Sequence, residues 1–314
     1  MSEKNSEQPR GVNSQVPKRI VILVDGTGNS EADAIEMGSD VTNVIRLRDC
    51  LVKDENQAVH YLTGVGTSED FSYNAKAGIT GMGAEEKKNE ALRYLQQTRT
   101  AHSSVYLFGF SRGAAICRDL ANAIVQRMPE TKIEMIGLWD TVAAFGIPLK
   151  FGRIDFDEIN IGKEMDIPSS VGRTVHLLSI DETREAFEPT LIDARDDVEE
   201  VWFAGSHADV GGGFEQRELA DITLRYMIRR AKQAGLRFVD AFVDAIPVND
   251  DGHGGINGNN WKAFFGPRKI TVHENGSPST KHPRIHRTVQ KRLMAGGYAP
   301  ESLLALNGNY TYVD

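Results

Sequence analysis

The sequence has 314 residues, a formal net charge of −8 and 40% hydrophobic residues. This length and hydrophobic content suit one large globular domain, and the acidic balance argues against a nucleic-acid-binding protein. The two cysteines, Cys50 and Cys117, form neither a metal-binding spacing nor a disulfide framework, and no apolar stretch is long enough to span a bilayer.

Six short apolar runs are predicted to be β-strands, because they are rich in β-branched and aromatic residues and end in glycine or polar residues. They lie at 19–24, 58–62, 105–108, 133–139, 174–180 and 198–203. Helical patterns lie between or after them, at 41–52, 85–98, 114–124 and 219–234. This alternation predicts an α/β fold with a mostly parallel, doubly wound sheet and helices on both faces.

The segment Gly109-Phe110-Ser111-Arg112-Gly113 follows the third predicted strand and precedes an alanine-rich helix. A strand, a sharp Gly-x-Ser-x-Gly turn and a helix are typical of the nucleophile elbow of an α/β-hydrolase. Two glycines are needed there because Cβ atoms on either side of the serine would collide in so tight a turn. The pattern predicts Ser111 as a catalytic nucleophile.

We expect a disordered leader over residues 1–18, because this stretch is polar and lacks the apolar core of a signal peptide. The remainder, 19–314, is expected to be a single α/β-hydrolase-like catalytic domain. Within it, 145–170 could form a small cap or lid, and the Gly-, Asn- and Asp-rich stretch 249–260 is predicted to be a loop. Such a chain would be cytoplasmic, or exported without a cleaved signal peptide.

A serine nucleophile needs an imidazole to take its proton and a carboxylate to orient that imidazole. His207 is the favoured base, because it follows the last clear strand in a glycine-rich loop, and His286 is held in reserve. Asp140 is the favoured acid, because it ends the strand that follows the elbow helix. Asp181, at the end of the next strand, is the alternative acid, and Asp209 is expected to cap a local turn.

An oxyanion hole needs two preorganised N–H donors. The backbone of Arg112, next to the nucleophile, should supply one, and Gly26 or Thr27, after the first strand, should supply the other. The Arg112 side chain could attract an anionic head group or pair with a neighbouring carboxylate. No metal and no cofactor is predicted, because neither a two-histidine helical motif nor a phosphate-binding glycine loop occurs.

A series of short motifs, taken in order, resembles the uncharacterised alpha/beta hydrolase domain family that includes the catalytic domains of type VI secretion phospholipase effectors. The motifs are the stretches at 24–29, 64–67, 107–114, 140–142, 181–184, 202–213 and 286–289. The resemblance implies a Ser-Asp-His hydrolase, with these roles at Ser111, Asp140 and His207. In the effector members of that family, the substrate is a phospholipid acyl ester.

The sequence therefore predicts a serine esterase or lipase, phospholipase-like, that cleaves acyl esters through an acyl-enzyme intermediate. The alternative is a non-catalytic hydrolase-fold module that binds a lipid or ester. The expected partner is a small-molecule or lipid ester, with transient membrane-surface contact as an option and no nucleic acid. The oligomeric state is left open.

Overall fold

The computed structural model describes residues 18–37, 39–67, 81–143, 165–257 and 266–314. Within these ranges, eight strands form one sheet in which every pairing is parallel. The strands are β1 (Arg19–Val24), β2 (Gln57–Leu62), β3 (Ser104–Phe110), β4 (Lys132–Trp139), β5 (Thr174–Ser179), β6 (Val198–Phe203), β9 (Arg284–His286) and β10 (Thr311–Val313), while β7 (His273–Glu274) and β8 (Ser277–Pro278) form a separate antiparallel pair.

Helices cover both faces of this sheet. In the described residues they are α1 (Glu31–Met37), α2 (Asn43–Cys50), α3 (Gly81–Thr98), α4 (Arg112–Arg127), α5 (His207–Gly211), α6 (Glu218–Gln233), α7 (Asp240–Asp244), α8 (Arg287–Ala295) and α9 (Glu301–Leu304), with a 3-10 turn at Glu185–Phe187. α3 and α4 pack on one face, and α2 and α6 pack on the other. The chain is thus an α/β protein with a doubly wound sheet.

The strand order is β10-β9-β6-β5-β4-β3-β1-β2, so β1 lies between β2 and β3. The chain leaves β1 toward α2 on one face of the sheet and leaves β3 toward α4 on the other. A crevice opens where successive connections diverge in this way, at the carboxyl ends of the strands, and ligands of open α/β sheets bind there. The elbow serine lies at this edge.

All six strands and all four helices predicted from the sequence are present, with ends that differ by a few residues. No strand was predicted in the C-terminal tail, because β9 and β10 have only three residues each, too few to show a hydrophobic period. The prediction of a plain loop around His207 is wrong, because the five-residue helix α5 begins there. The predicted leader, apart from residue 18, and most of the predicted cap lie outside the described residues.

Candidate active site

Ser111 lies between the end of β3 and the start of α4, with φ 57° and ψ −123°. A non-glycine residue holds such a backbone only when its surroundings enforce it. The Ser111 N–H donates to the Trp139 carbonyl at 2.9 Å, which ties the turn to the end of β4. A Cβ on Gly109 would come within 2.6 Å of the Gly113 carbonyl, and one on Gly113 would collide with the Val24 carbonyl. Both glycines are therefore required by close backbone approach.

Asp140 and His207 form a buried pair at the same edge of the sheet. Asp140 directly follows β4, and His207 is the first residue of α5. The Nδ1 atom of His207 lies 2.6 Å from the Oδ2 atom of Asp140, and both side chains are almost fully buried. A carboxylate at this distance holds the proton on Nδ1 and leaves Nε2 as the basic nitrogen.

The His207 imidazole is held from three further directions. The Phe110 ring lies 4.6 Å from it and the Phe187 ring 4.8 Å, measured between centroids. The backbone N–H of His207 donates to a carboxylate oxygen of the buried Glu182 at 3.2 Å. Because aromatic rings lie on two sides and α5 is anchored, the imidazole has little freedom to turn away from Asp140.

The elbow and the imidazole lie at the same edge of the sheet, since the ring of Phe110, the residue before Ser111, packs against His207. Among the described residues, no hydrogen bond joins Ser111 Oγ to His207 Nε2, and neither atom has another hydrogen-bond partner. Catalytic hydrogen bonds are often long before substrate binds and tighten in the reacting complex.

Three other candidate residues are hydrogen-bonded elsewhere and not to this pair. Asp181 accepts hydrogen bonds from the Gly205 N–H at 2.6 Å and the Tyr298 hydroxyl at 2.8 Å, rather than from a histidine. Asp209 accepts from the Ser206 N–H, as a cap of α5. His286 bonds Thr288 through Nδ1 and stacks on Phe203, and burial among neighbouring arginines lowers its pKa to about 3.

The loop after β1 offers one backbone donor. The Gly26 N–H already donates to Oδ1 of Asp25 at 2.8 Å. No described residue accepts the Thr27 N–H. The N–H of Arg112 is the first of helix α4, at the position where an α/β-hydrolase has its other oxyanion donor. Burial lowers the pKa of the Arg112 side chain to about 10, so it stays charged at neutral pH.

Sequence reasoning missed Arg268, which lies in the tail and is only 4% exposed. Its guanidinium donates to both Asp140 oxygens, with Nη1–Oδ1 at 2.7 Å and Nη2–Oδ2 at 2.9 Å. Burial by itself would raise the pKa of Asp140, but Arg268 and His207 outweigh it and hold that pKa well below its usual range. No motif in the sequence marked Arg268, because it lies in the tail, where the sequence shows no clear strand or helix pattern.

The pKa of His207 is lowered by burial and by the Arg268 charge, against the opposing effect of Asp140. The imidazole is therefore neutral at neutral pH, which is the state of a general base. In the described ranges, no group of three or more His, Cys, Asp or Glu side chains could hold a metal ion. No helix in those ranges has the length and apolar character needed to cross a membrane.

Comparison with protein families matches residues 18–128 and 125–230 to the family described as "T6SS, Phospholipase effector Tle1-like, catalytic domain". The chain belongs to this family. The parallel sheet with helices on both faces agrees with the α/β-hydrolase-like architecture that the motifs predicted. No curated protein is matched by the sequence.

Solved structures resemble the Tle1-like domain in fold. An uncharacterised protein from Pseudomonas aeruginosa is 22% identical with a TM-score of 0.50, over 75% of this chain and 48% of that one. The Tle1 effector bound to the VgrG spike of the type VI secretion system is 20% identical with a TM-score of 0.45, over 64% of this chain and 52% of that one. The chain thus spans about half the length of each of these structures.

Proposed function

We propose that this Tle1-like domain is a serine hydrolase that cleaves carboxylic esters of lipids, with Ser111 as nucleophile, His207 as base and Asp140 as orienting acid. The observation that carries the proposal is the 2.6 Å contact between His207 and Asp140 beside a serine in a strained elbow. A buried acid–imidazole pair next to such a turn is the arrangement that activates a hydroxyl for acyl transfer.

In the proposed reaction, His207 Nε2 takes the proton of Ser111 Oγ as the oxygen attacks the ester carbonyl. The resulting oxyanion accepts hydrogen bonds from the Arg112 and Thr27 N–H groups. We favour Thr27 over Gly26 because the Gly26 N–H is engaged by Asp25. His207 then protonates the departing alcohol, and a water activated by the same imidazole releases the acid from Ser111.

Phospholipid is the substrate that the family description favours, because the matched family is that of a phospholipase effector catalytic domain. The charged Arg112 side chain next to the nucleophile would suit a phosphate head group. Transient contact with a lipid surface and export from the cell belong to the same proposal. So does the assignment of residues 19–314 to one catalytic domain.

Labelling with a fluorophosphonate tests the nucleophile directly. The wild type should be labelled at Ser111, and Ser111→Ala should lose both the label and the esterase activity, by several orders of magnitude in kcat. Cys117→Ala, at a buried position of α4, is a control that should keep both. An unlabelled wild type that still binds lipid would favour the binding module, and Ser111→Ala with nearly full activity would refute the triad.

Hydrolysis of short acyl esters, long acyl esters and phospholipid vesicles then identifies the substrate. If only short esters are cleaved, the serine hydrolase stands and the phospholipase assignment fails.

A further inference from the structure

Arg268 binds the acid of the proposed triad from outside the part of the chain that matches the family, residues 18–230. It lies in the C-terminal tail, a few residues before the short strand β7. Its Nη1 atom also donates to the carbonyl and hydroxyl of Ser179, at 3.1 and 2.6 Å. A guanidinium with this many fixed acceptors is oriented by its surroundings and matches the planar carboxylate.

All the lone pairs of the Asp140 carboxylate are used. Oδ1 accepts from Arg268 and from the Ser179 N–H at 3.0 Å, and Oδ2 accepts from Arg268 and His207. The side chain of Asp140 is fully buried. A carboxylate this deep without a counter-charge would take up a proton, and a protonated acid is a poorer partner for an Nδ1–H group.

We propose that Arg268 is a positioning residue of the active site, which acts through Asp140 to keep the acid ionised and the imidazole neutral and oriented. This inference rests on the proposed triad. It means that the matched part of the chain does not complete the site by itself, because the tail supplies the cation that the buried acid requires.

The Arg268 side chain also holds Phe187, whose ring packs against the His207 imidazole. The Nη2 atom of Arg268 donates to the backbone carbonyl of Phe187, whose ring packs against His207. Arg184 lies over the other side of that ring, with its guanidinium carbon 3.9 Å from the centroid. Loss of Arg268 would therefore leave both the Phe187 ring and the Asp140 carboxylate less firmly positioned around His207.

The direction of the pH effect follows from the charges around His207. Asp140 and Glu182 favour the imidazolium, whereas Arg268 and burial oppose it. Arg184 also lies close by, but its charge is paired with Glu182. Removal of the Arg268 charge should raise the pKa of both His207 and Asp140. As the pH falls, His207 should then become protonated, and stop acting as a base, at a higher pH than in the wild type.

The test is the rate of fluorophosphonate labelling of Ser111 against pH, together with kcat/KM on a short ester. In Arg268→Met, the acidic limb of the pH–rate profile, where the rate falls as His207 is protonated, should move upward by on the order of one pH unit. The activity should therefore fall more at pH 6 than at pH 8. Arg268→Lys, which restores the charge without the fork, should bring the limb part of the way back. If Arg268→Met does not fold, Arg268→Gln, a neutral donor, should show the same upward shift.

Arg118→Met is the matched control. Arg118 is as buried as Arg268, but its guanidinium donates to the carbonyls of Met165 and Thr190 at 2.5 and 2.7 Å and not to a carboxylate. Its replacement should lower the melting temperature without moving the acidic limb.

An unmoved limb in a folded, charge-free Arg268 variant would overturn the inference, even if activity dropped. That failure is distinct from failure of the triad. In the first case the wild type is still labelled at Ser111, whereas in the second it is not.

Discussion

Two buried carboxyl groups at the same sheet edge, Asp25 after β1 and Asp140 after β4, have opposite surroundings. Both are almost completely inaccessible, at 1% and 0% exposure. Within the described part of the chain, Asp25 accepts hydrogen bonds only from neutral donors, the Gly26 N–H and the hydroxyls of Thr42 and Tyr61. Burial therefore raises the pKa of Asp25 to about 7. Asp140 is bound by a guanidinium, and its pKa is low.

The difference shows that depth alone does not decide whether a strand-end carboxyl is charged. A buried cation does, because it repays the desolvation that neutral donors only partly offset. Asp181 agrees with this reading: burial raises its pKa to about 6 against the neutral donors Gly205 and Tyr298. Of the three strand ends, only that of β4 is built to keep a charged acid beside an imidazole.

The largest expected effect is that of Asp140→Asn. An amide cannot hold the imidazole in the required tautomer, so we expect kcat on a short ester to fall by about 10³- to 10⁴-fold. Asp181→Asn is the same change at the next strand end and should cost less than about tenfold, since no histidine contacts Asp181. Circular dichroism should confirm that both variants are folded, and a larger loss in Asp181→Asn would reverse the assignment.

The second effect concerns stability at the end of β1. Because the folded protein binds a proton at Asp25 more tightly than the unfolded chain, this group stabilises the fold at low pH. The contribution is lost as the pH rises through about 7. Between pH 5 and 8 the loss should be on the order of 2–3 kcal/mol, and Asp25→Asn should lack it.

Urea unfolding of both proteins at the two pH values measures this difference. A wild type and an Asp25→Asn variant whose free energies of unfolding change in parallel with pH would show that Asp25 titrates normally.

The smallest effect is that of Tyr61→Phe, which removes one neutral donor from Asp25. The free energy of unfolding should fall by about 1 kcal/mol, as for one net hydrogen bond. Because the Tyr61 hydroxyl lowers the pKa of Asp25, its loss should move the titration of Asp25 to still higher pH. The unfolding free energy against pH reports both changes.

Tyr106→Phe provides the comparison for that variant. The Tyr106 hydroxyl donates to the Ala234 carbonyl at 2.8 Å, so its removal should cost a similar amount with no change in pH dependence. If the unfolding free energies of the two variants changed with pH in the same way, the Tyr61 hydroxyl would have no influence on the ionisation of Asp25, and the prediction would be wrong.

Much of the fold could be predicted because its central elements carry their own signals. The run 19–24 is apolar throughout, as expected of a strand buried on both faces, and β1 is buried along all but its first residue. The elbow could be predicted because close backbone contacts require glycine at positions 109 and 113, so the turn geometry leaves a recognisable residue pattern. The strand-end positions of Asp140 and His207 follow from the same alternation.

The sequence by itself determined the doubly wound sheet, the elbow and the small set of side chains at its edge, because periodicity and turn sterics are local. Only the tertiary structure decided that Asp140, and not Asp181, lies against His207. It also brought Arg268 to Asp140 across a separation of 128 residues. Such choices depend on which strands become neighbours and which charges are buried together, and neither quantity has a local pattern.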